Sequence, residues 1–159
     1  MLNYNSAIKK EINQGSISVK EIHPVMKINL RGKKREFLTN IGKNLNMILP
    51  TEANTSTTSD KLTAIWLSPD EWMIISNELA SKDTNKSDLY EMLFNSISKT
   101  NLGAVIDVTD QFVQLELKGE NVYEIFSAGS PFNFNEFKEK KGSTTQTVLN
   151  HVDVILHHK

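Results

Sequence analysis

A chain of 159 residues with 38% hydrophobic and 23% charged residues has the size and composition of one ordinary globular domain, able to bury ~70% of its unfolded surface. Its net charge of −1 gives no electrostatic footprint for nucleic acid or an anionic membrane. The absence of cysteine excludes disulfides, thiolate ligands and a thiol nucleophile, and fits a reducing compartment.

Residues 1–15 mix Asn, Ser, Lys and Glu with isolated apolar residues. They are expected to form a flexible N-terminal arm, or a short helix around Ile8 and Ile12, ahead of a single domain over residues 16–159. The arm has no apolar core of the kind a secretory leader needs, and no run elsewhere is long enough to span a bilayer, so the expected location is cytoplasmic. Asn54-Thr55-Ser56 and Asn85-Lys86-Ser87 match a glycosylation pattern, but in a cytoplasmic protein they mark only polar loops.

From Ile17 the pattern becomes extended. Ile17 and Val19 are followed, after Pro24, by alternating Met26, Ile28 and Leu30, and Gly32 ends the run. Residues 35–45 read as a helix, because Phe37, Leu38, Ile41 and Leu45 share one face, although Gly42 weakens it. Arg31, Lys33, Lys34 and Arg35 form a basic knot at this strand-to-helix junction. Without a Gly-rich phosphate loop the knot reads as a solvated turn rather than an anion site. Pro50 follows a short apolar segment, Met47-Ile48-Leu49. Residues 51–60, dense in Thr and Ser, then read as a mobile loop.

Two apolar runs follow, 62–67 and 72–76, separated by Ser68-Pro69-Asp70-Glu71. Pro69 pre-sets φ for a turn and Ser68 and Asp70 can bond nearby backbone, so the stretch reads as a β-hairpin. Both tryptophans, Trp66 and Trp72, lie beside the turn, and each indole N–H needs a partner when buried. Asp70 and Glu71 read as turn and solvation residues rather than an acid/base pair, since no His, Lys or Ser partner follows at a telling spacing.

After a polar stretch at 80–86, Ser87 is a suitable N-cap for a helix to Ser98 with Leu89, Met92, Leu93 and Ile97 as its apolar stripe. Met92 is expected as core filling. Gly103 stops this helix. Residues 104–108 read as a buried strand and 109–111 as a turn. Val113, Leu115 and Leu117 alternate with Gln114 and Glu116 as a half-exposed strand. A short helix over 120–127 is expected to bury Val122, Ile125 and Phe126 and to end at Gly129 before Pro131. Phe132, Phe134 and Phe137 would plug one end of the core, and Lys138-Glu139-Lys140-Lys141 would be a solvated face. Two last strands, 144–149 and 152–156, flank an Asn150-His151 turn. The fold class is α+β: one domain with an antiparallel-rich sheet and about three helices.

A catalytic site requires a nucleophile, a base and a stabiliser to converge. Of the four histidines, His151 falls in a turn, His157 and His158 diverge on a strand, and all four, His23 included, read as exposed rather than metal-bound. No His-Glu-x-x-His helix, Gly-x-Ser-x-Gly elbow, phosphate loop or dinucleotide fingerprint is present. Asp107 and Asp110 flank the turn after a strand, where capping is the better reading. No catalytic residue and no metal site are therefore expected in this chain.

Several segments nevertheless carry a resemblance. Ile28-Asn29-Leu30-Arg31-Gly32, Leu49-Pro50-Thr51-Glu52-Ala53-Asn54-Thr55 and Trp66-Leu67-Ser68-Pro69-Asp70-Glu71-Trp72 occur in an order that continues through Val105-Ile106-Asp107-Val108-Thr109-Asp110-Gln111, Leu115-Glu116-Leu117-Lys118-Gly119 and Gly129-Ser130-Pro131. From about Val25 to its end the chain resembles the gamma-subunit family of heterotetrameric sarcosine oxidase. The Trp66–Trp72 stretch is the most specific element. Residues 1–15 and 138–141 carry more Lys and Asn than the family pattern.

The resemblance implies a fold similar to the folate-binding domain of aminomethyltransferases and a non-catalytic role beside alpha, beta and delta subunits. Such a complex oxidatively demethylates sarcosine to glycine, forming hydrogen peroxide and 5,10-methylene-tetrahydrofolate. FAD, FMN, NAD, zinc and tetrahydrofolate are implied for the complex, and none for this chain. The alternative is a stand-alone folate-binding aminomethyltransferase-like module, for which Asp107 and Asp110 are the carboxylate candidates. A subunit should also show an apolar docking patch, and Trp72, Phe132, Phe134 and Phe137 are the candidates for it.

Overall fold

The computed structural model describes residues 5–22, 25–76 and 87–159. His23, Pro24 and the polar stretch at 80–86 lie outside the described residues, as does the side chain of Ser87 expected as a helix cap. Gly15 adopts φ +59°, a conformation that side-chain-bearing residues rarely take, and turns the chain back on itself. On its two sides β1 (Ile12–Gln14) and β2 (Ile17–Ile22) pair antiparallel, with Ile12 opposite Val19. The segment expected as a loose arm or helix is thus a hairpin from Ile12 onward. A one-turn helix has no packed face to offset its nucleation cost, whereas a glycine turn beside β-branched residues favours pairing.

β3 (Lys27–Arg31) leads into α1 (Arg35–Leu45), which buries Phe37, Ile41 and Leu45 as the spacing predicts. Asn46, at φ 48°, caps the helix. The Thr- and Ser-rich stretch after Pro50 is not wholly a loop: it contains β4 (Ser56–Thr58), paired to β5 (Leu62–Ser68). β5 and β6 (Glu71–Ser76) form the expected hairpin, tighter than anticipated, with Pro69 and Asp70 alone between the strands and a register irregularity between Trp66 and Ser68. α2 (Ser87–Leu93) continues as a π-helical turn over Phe94–Ser98.

Leu93 and Ile97 of this helical segment are buried, but Met92 is exposed, contrary to its expected core role. β7 (Ala104–Asp107) then completes a five-stranded sheet in the order β4-β5-β6-β3-β7, every pairing antiparallel. Gly103 permits this closure, since a Cβ there would strike the carbonyl oxygen of Arg31. β7 is an edge strand, so only Val105 of it is buried and Ile106 faces solvent.

The main core lies between this sheet and the helices. Ile28, Leu30, Ala64, Trp72, Ile74 and Val105 come from one sheet face and meet Phe37, Ile41, Leu45, Leu93 and Ile97. The opposite face carries a second cluster of Ile65, Leu67, Met73 and Val108, with Ile155 packed against it. Both faces are therefore covered, which places Lys27 inside although the alternation around it suggests an outward residue.

β8 (Gln114–Lys118) joins β2, giving a three-stranded sheet β1-β2-β8. Its burial departs from the predicted alternation: Gln114 and Glu116 are half-buried, Val113 and Leu115 are exposed, and Leu117 alone of the three apolar residues reaches a core. α3 (Val122–Gly129) starts two residues later than expected; it buries Val122 and Phe126 and leaves Ile125 exposed. β9 (Thr144–Leu149) and β10 (Val152–His157) form the terminal hairpin, with Asn150 at φ 56° doing what a glycine does in such turns. The result is an α+β fold with, among the described residues, three α-helices and antiparallel sheets.

Candidate functional site

The tryptophan hairpin is a fixed corner. Trp66 and Trp72 face each other across β5 and β6, and the Trp72 ring lies 5.8 Å from that of Phe37. The Trp72 indole N–H donates to the carbonyl of Pro50 at 2.8 Å, which meets its need for a partner. In the turn, the Ser68 hydroxyl donates to Asp70 at 3.0 Å. That bond, then the charges of Lys33 and Arg31, hold the Asp70 carboxyl below its usual range, against an opposing desolvation. Lys33 Nζ sits 3.6 Å from Asp70, and Arg31 Nε 3.9 Å from Glu71, which also accepts from Asn29 Nδ2 at 2.7 Å. Two residues of the basic knot, Arg31 and Lys33, therefore partner the two carboxylates of the hairpin turn. An ionised, ion-paired Asp70 is no general acid, and the turn-chemistry reading stands.

Asp107 ends β7, and its Oδ1 accepts the N–H of Thr109 at 2.9 Å, an Asx-type turn. Thr109, at the start of a 3-10 turn over Thr109–Gln111, is buried, and its Oγ1 accepts the backbone N–H of Lys27 at 3.0 Å. Asp107 and Asp110 are both exposed. Two open depressions, of about 470 and 530 Å³, lie beside α1, and neither is lined by these carboxylates. Buried Lys27 was not legible as a site residue; its ammonium donates to the carbonyls of Val25 (3.4 Å) and Thr109 (3.5 Å).

The histidines differ from expectation. His151 is exposed, but His157 and His158 are half-buried. His157 Nε2 lies 2.9 Å from the hydroxyl of Ser56, which also donates to the carbonyl of Gly142 at 2.9 Å. Burial, then the charges of Lys159 and His158, push His157 down to about 4. A serine beside a histidine has the composition of a nucleophile and base, yet an imidazole titrating near 4 is a weak base at neutral pH. Here the pair ties β4 to β10, beside backbone bonds from Ser56 to Gly142 (2.9 Å) and from Thr144 to Asn54 (2.8 Å). His158 goes elsewhere: Nδ1 lies 3.1 Å from the Phe137 carbonyl, and the ring packs on Tyr123 and Phe137. The two rings diverge as the strand period requires. Among the described residues no group of three His, Cys, Asp or Glu side chains could hold a metal ion.

The aromatic candidates for a docking patch lie inside the chain. Trp72, Phe134 and Phe137 are 3%, 4% and 6% exposed, and Phe132 is half-buried. Phe134 and Phe137 join Val122 and Phe126 in a third cluster, with Leu117, Tyr123, Phe132, Leu149 and Leu156 packed around it. Burial raises the Tyr123 pKa above its usual value. Phe132, Phe134 and Phe137 thus pack α3 against the terminal hairpin, while Trp72 belongs to the main core. Exposed large apolar residues occur in several places: Ile12, Ile48, Met92, the 106–115 stretch with Ile106, Phe112, Val113 and Leu115, Ile125, and Val148 and Val152 of the terminal hairpin. Gln114 has its amide oxygen buried with no hydrogen-bond partner among the described residues. No helix among the described residues is long and apolar enough to cross a membrane.

No family model and no curated protein matches the chain. Among solved structures it is similar to a chain of heterotetrameric sarcosine oxidase from Corynebacterium sp. U-96, in complex with pyrrole 2-carboxylate. The match has 16% sequence identity and a TM-score of 0.77, and covers 93% of this chain and 73% of that one. At this identity the likeness establishes the fold, so the chain has the fold of a sarcosine oxidase chain.

Proposed function

We propose that this chain is a non-catalytic subunit of a sarcosine oxidase complex, in the position of the gamma subunit. The observation that carries the reading is fold similarity over nearly the whole chain to one chain of a heterotetrameric enzyme. The motif order from Ile28 to Pro131 supports the gamma assignment. The local chemistry agrees: the Asp70–Lys33, Asp107–Thr109 and Ser56–His157 contacts each hold elements of the fold together. In this reading the chain works in the cytoplasm beside alpha, beta and delta subunits. The assembled enzyme oxidises the N-methyl group of sarcosine, releasing glycine and hydrogen peroxide and passing the one-carbon unit to tetrahydrofolate as 5,10-methylene-tetrahydrofolate. FAD, FMN, NAD, zinc and tetrahydrofolate reside on the other subunits, and this chain completes and stabilises them.

The test is co-purification of the tagged chain with the sarcosine-oxidase-type large subunits of the same genome, followed by an assay of sarcosine-dependent peroxide release. A stoichiometric flavin-containing complex whose activity requires this chain is expected. A chain that stays alone, leaves activity unchanged and binds tetrahydrofolate in titration would overturn the subunit reading in favour of a folate module.

A further inference from the structure

We draw no further inference here: the strongest candidate, the open apolar depression of about 470 Å³ beside α1 with the 81% exposed Ile48 in its lining, is an unpartnered face and nothing in the structure shows what covers it.

Discussion

Lowering the pH should loosen the tie between β4 and β10 through a single imidazole. His157 titrates at about 4 in the folded chain, against an ordinary value of 6.5, because burial disfavours its cation and Lys159 and His158 add repulsion. Between those two values the unfolded chain binds the extra proton and the folded chain does not. Stability is therefore fully present above pH 6.5 and is lost as the pH falls toward 4. Linkage over that shift gives about 2 kcal/mol between pH 7 and pH 5, and partial solvent screening of this half-buried ring reduces the expected loss to about 1 kcal/mol. The assay is urea unfolding at pH 7, 6 and 5, followed by fluorescence of Trp66 and Trp72, on wild type and a His157→Gln variant. Glutamine retains an amide for the Ser56 hydroxyl and cannot titrate, so carboxylate contributions cancel between the two proteins. Wild type should lose about 1 kcal/mol more than the variant over the interval. Equal pH slopes would refute the reasoning, and a steeper slope in the variant would reverse its sign.

Three other substitutions test the packing. Trp72→Phe leaves the Pro50 carbonyl without its 2.8 Å donor and opens space beside Phe37, so urea midpoints should report a loss of about 2 kcal/mol. Gly103→Ala places a methyl group against the Arg31 carbonyl and should cost about 2 kcal/mol in thermal or urea melts, through displacement of β7 from β3. Gln114→Met removes a buried acceptor that has no donor among the described residues. It should be neutral or raise stability by up to about 1 kcal/mol, and a loss above that would show that the amide is satisfied in solution.

The elements that can be read from the sequence are those whose signal is local. Phe37, Leu38, Ile41 and Leu45 define α1 without reference to anything else, and Ser68-Pro69-Asp70 dictates a turn wherever it sits. β4 has no such signal: Ser56, Thr57 and Thr58 pair with β5 because β5 offers an edge and Ser143 bridges to the preceding Thr55. The Ser56–His157 contact joins residues 101 positions apart, so no spacing rule could find it; a serine in an expected loop and a histidine near the terminus have no visible relation until both sheets exist. The same limit explains Lys27, whose burial follows from a covered second sheet face and not from its neighbours in sequence.

Trp72, Phe134 and Phe137, expected at a docking patch, are buried for a related reason. Large aromatic residues are the usual anchors of interfaces, which favoured Trp72, Phe132, Phe134 and Phe137, but the same area makes them the best material for a small internal cluster. Once α3 and the β9–β10 hairpin need a core, rings at 134 and 137 are consumed by it. Alternation on β8 shows that one face is apolar, yet period two is silent on which face meets the chain's own core and which is left exposed. Only the count of strands decides it: β8 is last in its sheet, Leu117 reaches the aromatic cluster, and Val113 and Leu115 lie beyond its rim. Which apolar residues stay exposed in this fold thus follows from where pairing stops, a property of the assembled sheets rather than of any motif.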